Sequence, residues 1–377
     1  MRKFDVCIIG GGAAGLVCAA SLRRDLKVCM LEKNEILGRK LMATGGGRCN
    51  LTNQACEHKN ATLDFFASIG LEARADNEGR YYPYSGKAVD VTKILTDAQD
   101  TKVQCFLGST VTEVKKEKGS FMVNASTKDG DLTLCADNLL LATGGKAAPQ
   151  YGTTGDGYRF AKSFGHSVSK VFPILAPVEC TCEDVDLQRL KGIRATGKVT
   201  LLKDGAPVLE KAPELGEIQF TADGLSGICV FNLTPFIKAE AGEAVGEAMQ
   251  RYSISVDLAP DFSEEQLAKR TTSFGILTAE LAEAADAAMK RSGCGMELIK
   301  DWRFSVKGVK GWRYAQCTSG GVNTDEIDPD TCESKLVPGL YIAGELLDIQ
   351  GPCGGFNLQN AWETGLAVAR AINEKDR

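Results

Sequence analysis

One short segment constrains the fold more than any other. Gly10-Gly11-Gly12-Ala13-Ala14-Gly15 follows a β-branched apolar run from Phe4 to Ile9 and precedes an apolar helical pattern that continues to Leu22. A G-x-G-x-x-G pattern between a strand and a helix predicts a dinucleotide-binding βαβ unit. Gly10 permits the tight turn, Gly12 lets a diphosphate approach the backbone, and Gly15 lets the helix pack on the strand. The unpaired N–H groups at the start of that helix favour the diphosphate.

A second predicted strand supports the same unit. It runs from Lys27 to Leu31 and ends at Glu32, whose carboxylate is placed to accept hydrogen bonds from a ribose. An acidic residue here favours an adenosine ribose without a 2′-phosphate, so the pattern indicates FAD or NAD rather than NADP.

Further glycine-rich segments favour FAD over NAD. A polar segment from Gly38 to Asn53 replaces a plain crossover helix, and its glycines suit close approach of the backbone to a large cofactor. The predicted strand at 139–145 ends in glycines and that at 339–345 ends in a glycine and an acid, and glycines at 351–355 precede a last helical pattern through Ile372. The start of that helix would stabilise the anionic reduced flavin at its N1–C2=O edge. Because the chain returns to the nucleotide fold at its end, its middle is an insertion.

These segments define the predicted cofactor-binding residues. They are Gly10, Gly12, Ala13, Ala14, Gly15, Glu32, Lys33, Gly38, Arg39, Lys40, Thr44, Gly45, Gly46, Arg48, Cys49, Asn50, Ala142, Thr143, Gly144, Gly145, Gly344, Glu345, Gly354, Gly355, Phe356 and Asn357.

Composition excludes several function classes. The formal charge of −5 provides no basic excess for nucleic acid, and no apolar run is long enough for a membrane span. Fourteen cysteines without a secretion signal predict a reducing, cytoplasmic location. The cysteines form no C-x-x-C pair, and the two histidines, His58 and His166, lie in no motif. We therefore expect neither a metal site nor a hydrolase built on a histidine base.

The insertion predicts two modules. Short alternating runs separated by Gly and Asp indicate a β-rich module at 173–233, to which the chain returns at 301–321. Ala- and Glu-rich stretches such as 277–290 indicate a helical module at 234–300. The expected fold is α/β: a Rossmann-like FAD-binding domain of residues 1–172 and 322–377, interrupted by both modules.

With these residues assembled, the chain resembles a family of bacterial flavoproteins, the BaiN-like or aminoacetone-oxidase-like FAD-binding enzymes. The most specific matches are Gly38-Arg39-Lys40 with Thr44-Gly45-Gly46-Gly47-Arg48-Cys49-Asn50, and Ala343-Gly344-Glu345 through Asn357. Other matches lie at 79–88, 220–227 and 318–322, in order along nearly the whole chain. One departure is Ile228, where the family pattern has a proline; it affects a local turn. The resemblance implies an FAD domain split by two modules, with different substrates linked to different members.

The residues and the resemblance together suggest an FAD-dependent reductase of an activated C=C in an apolar, steroid-like or bile-acid-like enone. No second glycine fingerprint exists for a nicotinamide domain, so NAD(P)H is expected to dock transiently at the flavin. Scarce histidine leaves Tyr81, Arg313 and Tyr314 as candidate catalytic residues. Open alternatives are an oxidase of a small amine, a flavin-bearing redox sensor and a tRNA-modifying flavoprotein, the last disfavoured by the acidic balance. The expected partner is a small-molecule substrate, and the chain is expected to be a monomer or homodimer.

Overall fold

The chain forms two compact units in a computed structural model that describes residues 2–99, 103–238 and 245–375. The first unit comprises residues 1–172 and 317–377, and the second comprises residues 173–316. The second unit is therefore an insertion in the first.

The first unit is built on a sheet of seven described strands in the order β6-β2-β1-β9-β8-β7, with β19 paired to β9. Their bounds are β1 Arg2–Ile9, β2 Val28–Leu31, β6 Val103–Phe106, β7 Thr110–Glu117, β8 Ser120–Thr127, β9 Gly130–Leu141 and β19 Leu340–Ile342. Strands β6, β2, β1, β9 and β19 are parallel, whereas β7, β8 and β9 form an antiparallel meander. The first half of β9 pairs with β8 and the second half with β19, so one long strand joins the two parts.

The parallel strands carry the core of this unit. Strand β2 and the last four residues of β1 are fully buried apolar runs, as expected for a parallel sheet covered on both faces. The helices of the unit are α1 Ala13–Ser21, α2 Lys59–Ser68, α3 Ala88–Ala98, α4 Asp156–Ser163 and α9 Phe356–Glu374. Helix α9 packs against α1 and α2, and Trp362 meets Phe66 edge to face with ring centroids 5.1 Å apart.

A small antiparallel sheet of β3 Thr52–Asn53, β5 Arg80–Pro83 and β4 Ala73–Ala75 lies beside α9. The indole Nε1 of Trp362 donates to the carbonyl oxygen of Leu51 at 2.9 Å, which ties the helix to the start of β3. This contact joins residues 311 positions apart. The segment after Gly38 therefore packs against the C-terminal helix α9.

The second unit is a closed antiparallel sheet with short helices. Its sheet order is β13-β12-β14-β15-β11-β17-β16, and it closes because β12 also pairs with β16. Its strands are β11 Val178–Thr181, β12 Arg194–Lys203, β13 Ala206–Pro207, β14 Glu214–Thr221, β15 Gly224–Ser226, β16 Tyr252–Asp257 and β17 Trp302–Val309. The helices are α5 Ile228–Phe231, α6 Val245–Gln250, α7 Glu264–Ala268 and α8 Ala279–Ser292; β10 Phe172–Ile174 and β18 Cys317–Ser319 lie at the junctions.

The predicted fold class is confirmed, with one correction inside the insertion. Residues 234–300 were expected to be helical, but β16 at 252–257 lies within them and pairs with β12 and β17. Tyr252, Ile254 and Val256 face the core in a period of two, which the neighbouring Ala- and Glu-rich stretches obscured. The division into three domains stays a prediction.

Within the described ranges, no helix is both long enough and apolar enough to span a membrane.

Candidate functional site

The glycine turn after β1 is crowded on one side and open on the other. A Cβ on Gly10 would lie 2.4 Å from the carbonyl oxygen of Ala142, and one on Gly15 would lie 2.0 Å from the carbonyl oxygen of Gly10. A Cβ on Gly12 would meet no atom within 4 Å. Gly12 precedes α1, whose start has no side-chain cap. The backbone N–H groups there are accessible to an anionic ligand.

Glu32 lies beside this turn and is 9% exposed. Its Oε2 accepts a hydrogen bond from the Gly11 N–H at 2.8 Å, and its Oε1 accepts from the backbone and side chain of Asn34 at 2.8 and 2.7 Å. Oε1 therefore has two donors already, whereas Oε2 has one and can accept a second hydrogen bond from a ribose.

The segment after Gly38 folds against the same turn. The Gly38 N–H donates to the Gly11 carbonyl oxygen at 2.7 Å. Beyond it, Gly45, Gly46 and Gly47 all have positive φ, and a Cβ on Gly46 or Gly47 would meet nothing within 4 Å. This backbone is exposed and lacks side chains over three residues. Arg48, also exposed, stacks on Tyr82 with its guanidinium carbon 4.7 Å from the ring centroid.

The start of α9 is a second uncapped helix end. Gly354 and Gly355 have φ of 120° and 105°, and no side chain caps the helix. A Cβ on Gly355 would lie 2.6 Å from the Thr52 carbonyl and 2.8 Å from Asn50 Oδ1. Among the described residues, Asn50 Oδ1 and Thr52 Oγ1 are buried without a hydrogen-bond partner. Polar atoms of this kind require a partner, so this corner suits a ligand or ordered water.

These residues fit FAD. The open backbone at Gly12 suits the diphosphate, Glu32 suits the adenosine ribose, and the start of α9 suits the electron-rich edge of a flavin. The unpartnered oxygens beside Gly355 are an independent feature of the structure in agreement with this assignment.

Some predicted cofactor residues have other partners. The Lys33 ammonium pairs with the Asp156 carboxylate at 2.6 Å, and Arg39 donates to Asn34 Oδ1 at 2.9 Å. Asn357 bonds Gly351 through both of its amide atoms, each at 2.9 Å, so it shapes the loop before α9. Contact of these three residues with the cofactor stays a prediction.

A buried ion pair joins two of the predicted segments. Lys40 Nζ lies 2.7 Å from Glu345 Oε2, and the two side chains are 22% and 21% exposed. Thr318, which sequence reasoning missed, donates its backbone N–H to Glu345 Oε1 at 2.9 Å. Burial opposes the charge of Lys40, but the Glu345 carboxylate outweighs it, so the pKa of Lys40 lies above its usual value.

The candidate catalytic residues lie in different units. Tyr81 is half-buried on β5 of the first unit. Arg313 and Tyr314 are exposed in the second unit, and Lys310 Nζ lies 5.1 Å from the centroid of the Tyr314 ring. Their catalytic role stays a prediction.

His166 forms a side-chain arrangement that the sequence did not reveal. Its Nδ1 lies 2.9 Å from Glu326 Oε2, and its Nε2 lies 2.8 Å from Ser334 Oγ. These are the residue types of a hydrolase triad. However, His166 and Ser334 are 3% and 5% exposed, and Ser334 Oγ already accepts from the N–H groups of Leu336 and Val337. The arrangement is therefore structural.

Two features of the structure concern metal-ligating side chains and the thiol of Cys49. In the ranges that the structure describes, no group of three His, Cys, Asp or Glu side chains could hold a metal ion. Cys49, a predicted cofactor residue, is fully buried, and burial raises the pKa of its thiol to about 12. A thiol with this pKa is not a nucleophile at neutral pH.

Comparisons with known proteins agree with this site. The family model of the HI0933-like protein Rossmann domain matches residues 4–62 and 57–371. The chain is 35% identical to 3-dehydro-bile acid delta(4,6)-reductase of Clostridium scindens, with 98% of each chain covered. It is 28% identical to ribosomal RNA dihydrouridine synthase of Escherichia coli, with 99% of this chain and 98% of that protein covered.

A solved structure resembles the fold over its whole length. It is 3-ketosteroid-delta4-(5alpha)-dehydrogenase from Rhodococcus jostii, with a TM-score of 0.54, 13% identity, and coverage of 99% of this chain and 97% of that one. At this identity the likeness concerns the fold alone.

Proposed function

The chain belongs to the HI0933-like family of FAD-dependent oxidoreductases, and from this premise we propose that it reduces a carbon–carbon double bond conjugated to a carbonyl in an apolar substrate. The expected substrate class is a steroid-like or bile-acid-like enone. The family predicted from sequence and the class of FAD oxidoreductase are confirmed.

One observation carries the proposal. The identity of 35% to a bile-acid delta(4,6)-reductase extends over 98% of both chains, so the likeness covers the insertion as well as the FAD unit. A match of this extent favours a shared reaction type. The substrate of this chain is a separate question, because members of one fold act on different compounds.

The chain's own residues would divide the work between holding FAD and binding substrate. When bound, FAD supplies two-electron hydride chemistry at its ring. The glycine turn at Gly12, the carboxylate of Glu32 and the start of α9 would hold the cofactor. The proposal includes NAD(P)H as an electron donor that docks transiently. It also includes Tyr81, Arg313 or Tyr314 as the proton donor. We also propose a cytoplasmic monomer or homodimer.

The test is an anaerobic titration of the purified holoprotein with NADH or NADPH, followed by 4-androstene-3,17-dione as the probe enone. We expect the flavin absorbance to bleach with one donor and to recover when the enone is added. The matched control is the saturated 3-oxo steroid, which cannot accept hydride at C=C and should leave the flavin reduced.

Other outcomes overturn the proposal in defined ways. Recovery only on admission of air identifies an oxidase, for which small amines are the substrates to test. A flavin that the donor bleaches, but that no tested enone reoxidises, favours the redox-sensor alternative. A chain that fails to bind FAD contradicts the cofactor assignment itself.

A second candidate is reduction of uridine in RNA. It is favoured by the match to a ribosomal RNA dihydrouridine synthase over 98% or more of both chains. It is disfavoured by charge, because residues 173–316 contain 17 Lys and Arg against 21 Asp and Glu, a net of −4. RNA-binding surfaces need a basic excess. In the same titration, unmodified ribosomal RNA should leave the reduced flavin unchanged; recovery with RNA but not with the enone would reverse our ranking.

A further inference from the structure

The Lys40–Glu345 ion pair lies at the carboxyl ends of the parallel strands. Glu345 follows β19, and Lys40 follows the segment that bonds the glycine turn through Gly38 and Gly11. The pair joins residues 305 positions apart with its charged atoms at 2.7 Å. Cofactors of parallel sheets bind at this edge.

Thr318 fixes the orientation of this pair. Its N–H holds Glu345 Oε1, which leaves Oε2 to Lys40. Its hydroxyl accepts hydrogen bonds from the N–H groups of Lys146 and Ala147 at 2.8 and 3.0 Å, just beyond β9. A Cβ on Gly145 would lie 2.4 Å from Thr318 Oγ1 and 2.8 Å from Glu345 Oε1. Two chain segments therefore bond the carboxylate, and the segment after β9 holds Thr318 in place.

A buried hydroxyl points to the same cluster. Tyr158 is 8% exposed, and its OH has no hydrogen bond of normal geometry among the described residues. Burial raises the pKa of Tyr158, and the carboxylates of Glu345 and Asp348 raise it further, so the hydroxyl keeps its proton. Tyr158 therefore belongs to the same polar cluster as Thr318 and Glu345.

The cluster also lies between the two open helix ends. A Cβ on Gly344, the residue before Glu345, would be 3.1 Å from Ala14 Cβ in the first turn of α1 and 3.9 Å from Ala361 Cβ in α9. The residue before Glu345 therefore packs against both helices whose starts suit FAD.

We propose that the Lys40–Glu345 pair sets the reduction potential of the bound flavin, with Thr318 as the positioning residue. The inference rests on the FAD part of the proposed function and is independent of the substrate. Two-electron reduction with uptake of one proton adds one negative charge to the flavin. A nearby cation stabilises that charge and raises the reduction potential, whereas a nearby anion destabilises it and lowers the potential. The ammonium and the carboxylate of the pair therefore act on the potential in opposite directions.

The test is the midpoint potential of the holoprotein at about neutral pH, measured with reference dyes. Lys40→Met leaves the carboxylate alone and should shift the potential to a more negative value. Glu345→Gln leaves the ammonium alone and should shift it to a more positive value, and the double variant should return towards wild type. The control is Lys375→Met, which removes a Lys–Glu contact of the same 2.7 Å length with Glu333 at the other end of α9.

Shifts of opposite sign support the proposal, whereas unchanged potentials or shifts of the same sign in both single variants overturn it. If a single variant cannot retain FAD, the exchange variant Lys40→Glu with Glu345→Lys decides, because it keeps the pair and swaps the two charges. An unchanged potential in that variant also overturns the proposal. The measurement uses neither NAD(P)H nor an enone, so it can fail while the proposed function stands.

Discussion

The two ends of helix α9 carry the same kind of ion pair in different surroundings. At its start, Lys40 and Glu345 are about one-fifth exposed and adjoin the crowded Gly145 and the buried Tyr158. At its end, Lys375 and Glu333 are 39% and 23% exposed. There Glu333 accepts from the Gly339 N–H, and the Lys375 ammonium lies 5.0 Å from the centroid of the Tyr341 ring.

This difference indicates that the carboxyl end of the strands binds a ligand, whereas the contacts at the amino end support the fold. At the amino end of the strands, His166 is satisfied by Glu326 and Ser334. At the carboxyl end, buried oxygens of Asn50 and Thr52 lack partners within the described chain. Buried polar atoms are rarely left unsatisfied, so the two oxygens beside the open glycine backbone of Gly354 and Gly355 suit a further molecule.

The largest expected effect comes from adding one methyl group at each end. Gly355→Ala places a Cβ 2.6 Å from the Thr52 carbonyl at a φ of 105°, and should lower the free energy of unfolding by about 2–4 kcal/mol and abolish FAD binding. Gly339→Ala, whose Cβ would be 3.1 Å from the Asp137 carbonyl oxygen, should cost about 1–2 kcal/mol and keep FAD. Urea unfolding measures the free energy of unfolding of each variant, and flavin content measures its FAD binding. Equal FAD retention in the two variants would contradict the difference proposed between the two ends.

A smaller effect should follow removal of each lysine. Lys40→Met leaves the Glu345 carboxylate half-buried without its cation, which should lower the free energy of unfolding of the apoprotein by about 1–3 kcal/mol. Lys375→Met removes a more exposed partner and should cost about 0.2–1 kcal/mol. Chemical denaturation of both apoproteins compares the two losses in free energy of unfolding. A larger loss for Lys375→Met would contradict the assignment of Lys40 as the more strongly coupled lysine.

The smallest effect concerns pH at the amino end. Hydrogen bonds from Ser167, and then His166, hold the pKa of Glu326 below its usual value. Its contribution to stability is therefore present above the unfolded pKa of about 4.3 and is lost as the pH falls through the lower folded value. Glu326→Gln should cost up to about 1 kcal/mol near neutral pH and progressively less in acid. Urea unfolding midpoints of the wild type and of Glu326→Gln, measured from neutral to acidic pH, test this prediction. A difference between the two midpoints that widens in acid contradicts it.

Local patterns predicted much of the fold. The glycine turn, the acid Glu32 and the glycine-rich start of α9 each depend on a few consecutive residues, because strand periodicity and backbone freedom act over short distances. The one error, β16 within the helical stretch, arose where pairing with distant strands outweighed local composition.

The sequence by itself determined the nucleotide fold, the insertion and the family, because glycines at strand ends leave few other folds. Only the tertiary structure decided which charges meet. Lys40 and Glu345 were both predicted as separate cofactor contacts, yet folding pairs them across 305 positions. Thr318 and Tyr158 join them, although neither was predicted as a site residue. Side-chain partners depend on how distant segments pack in three dimensions, and no spacing along the chain encodes that arrangement.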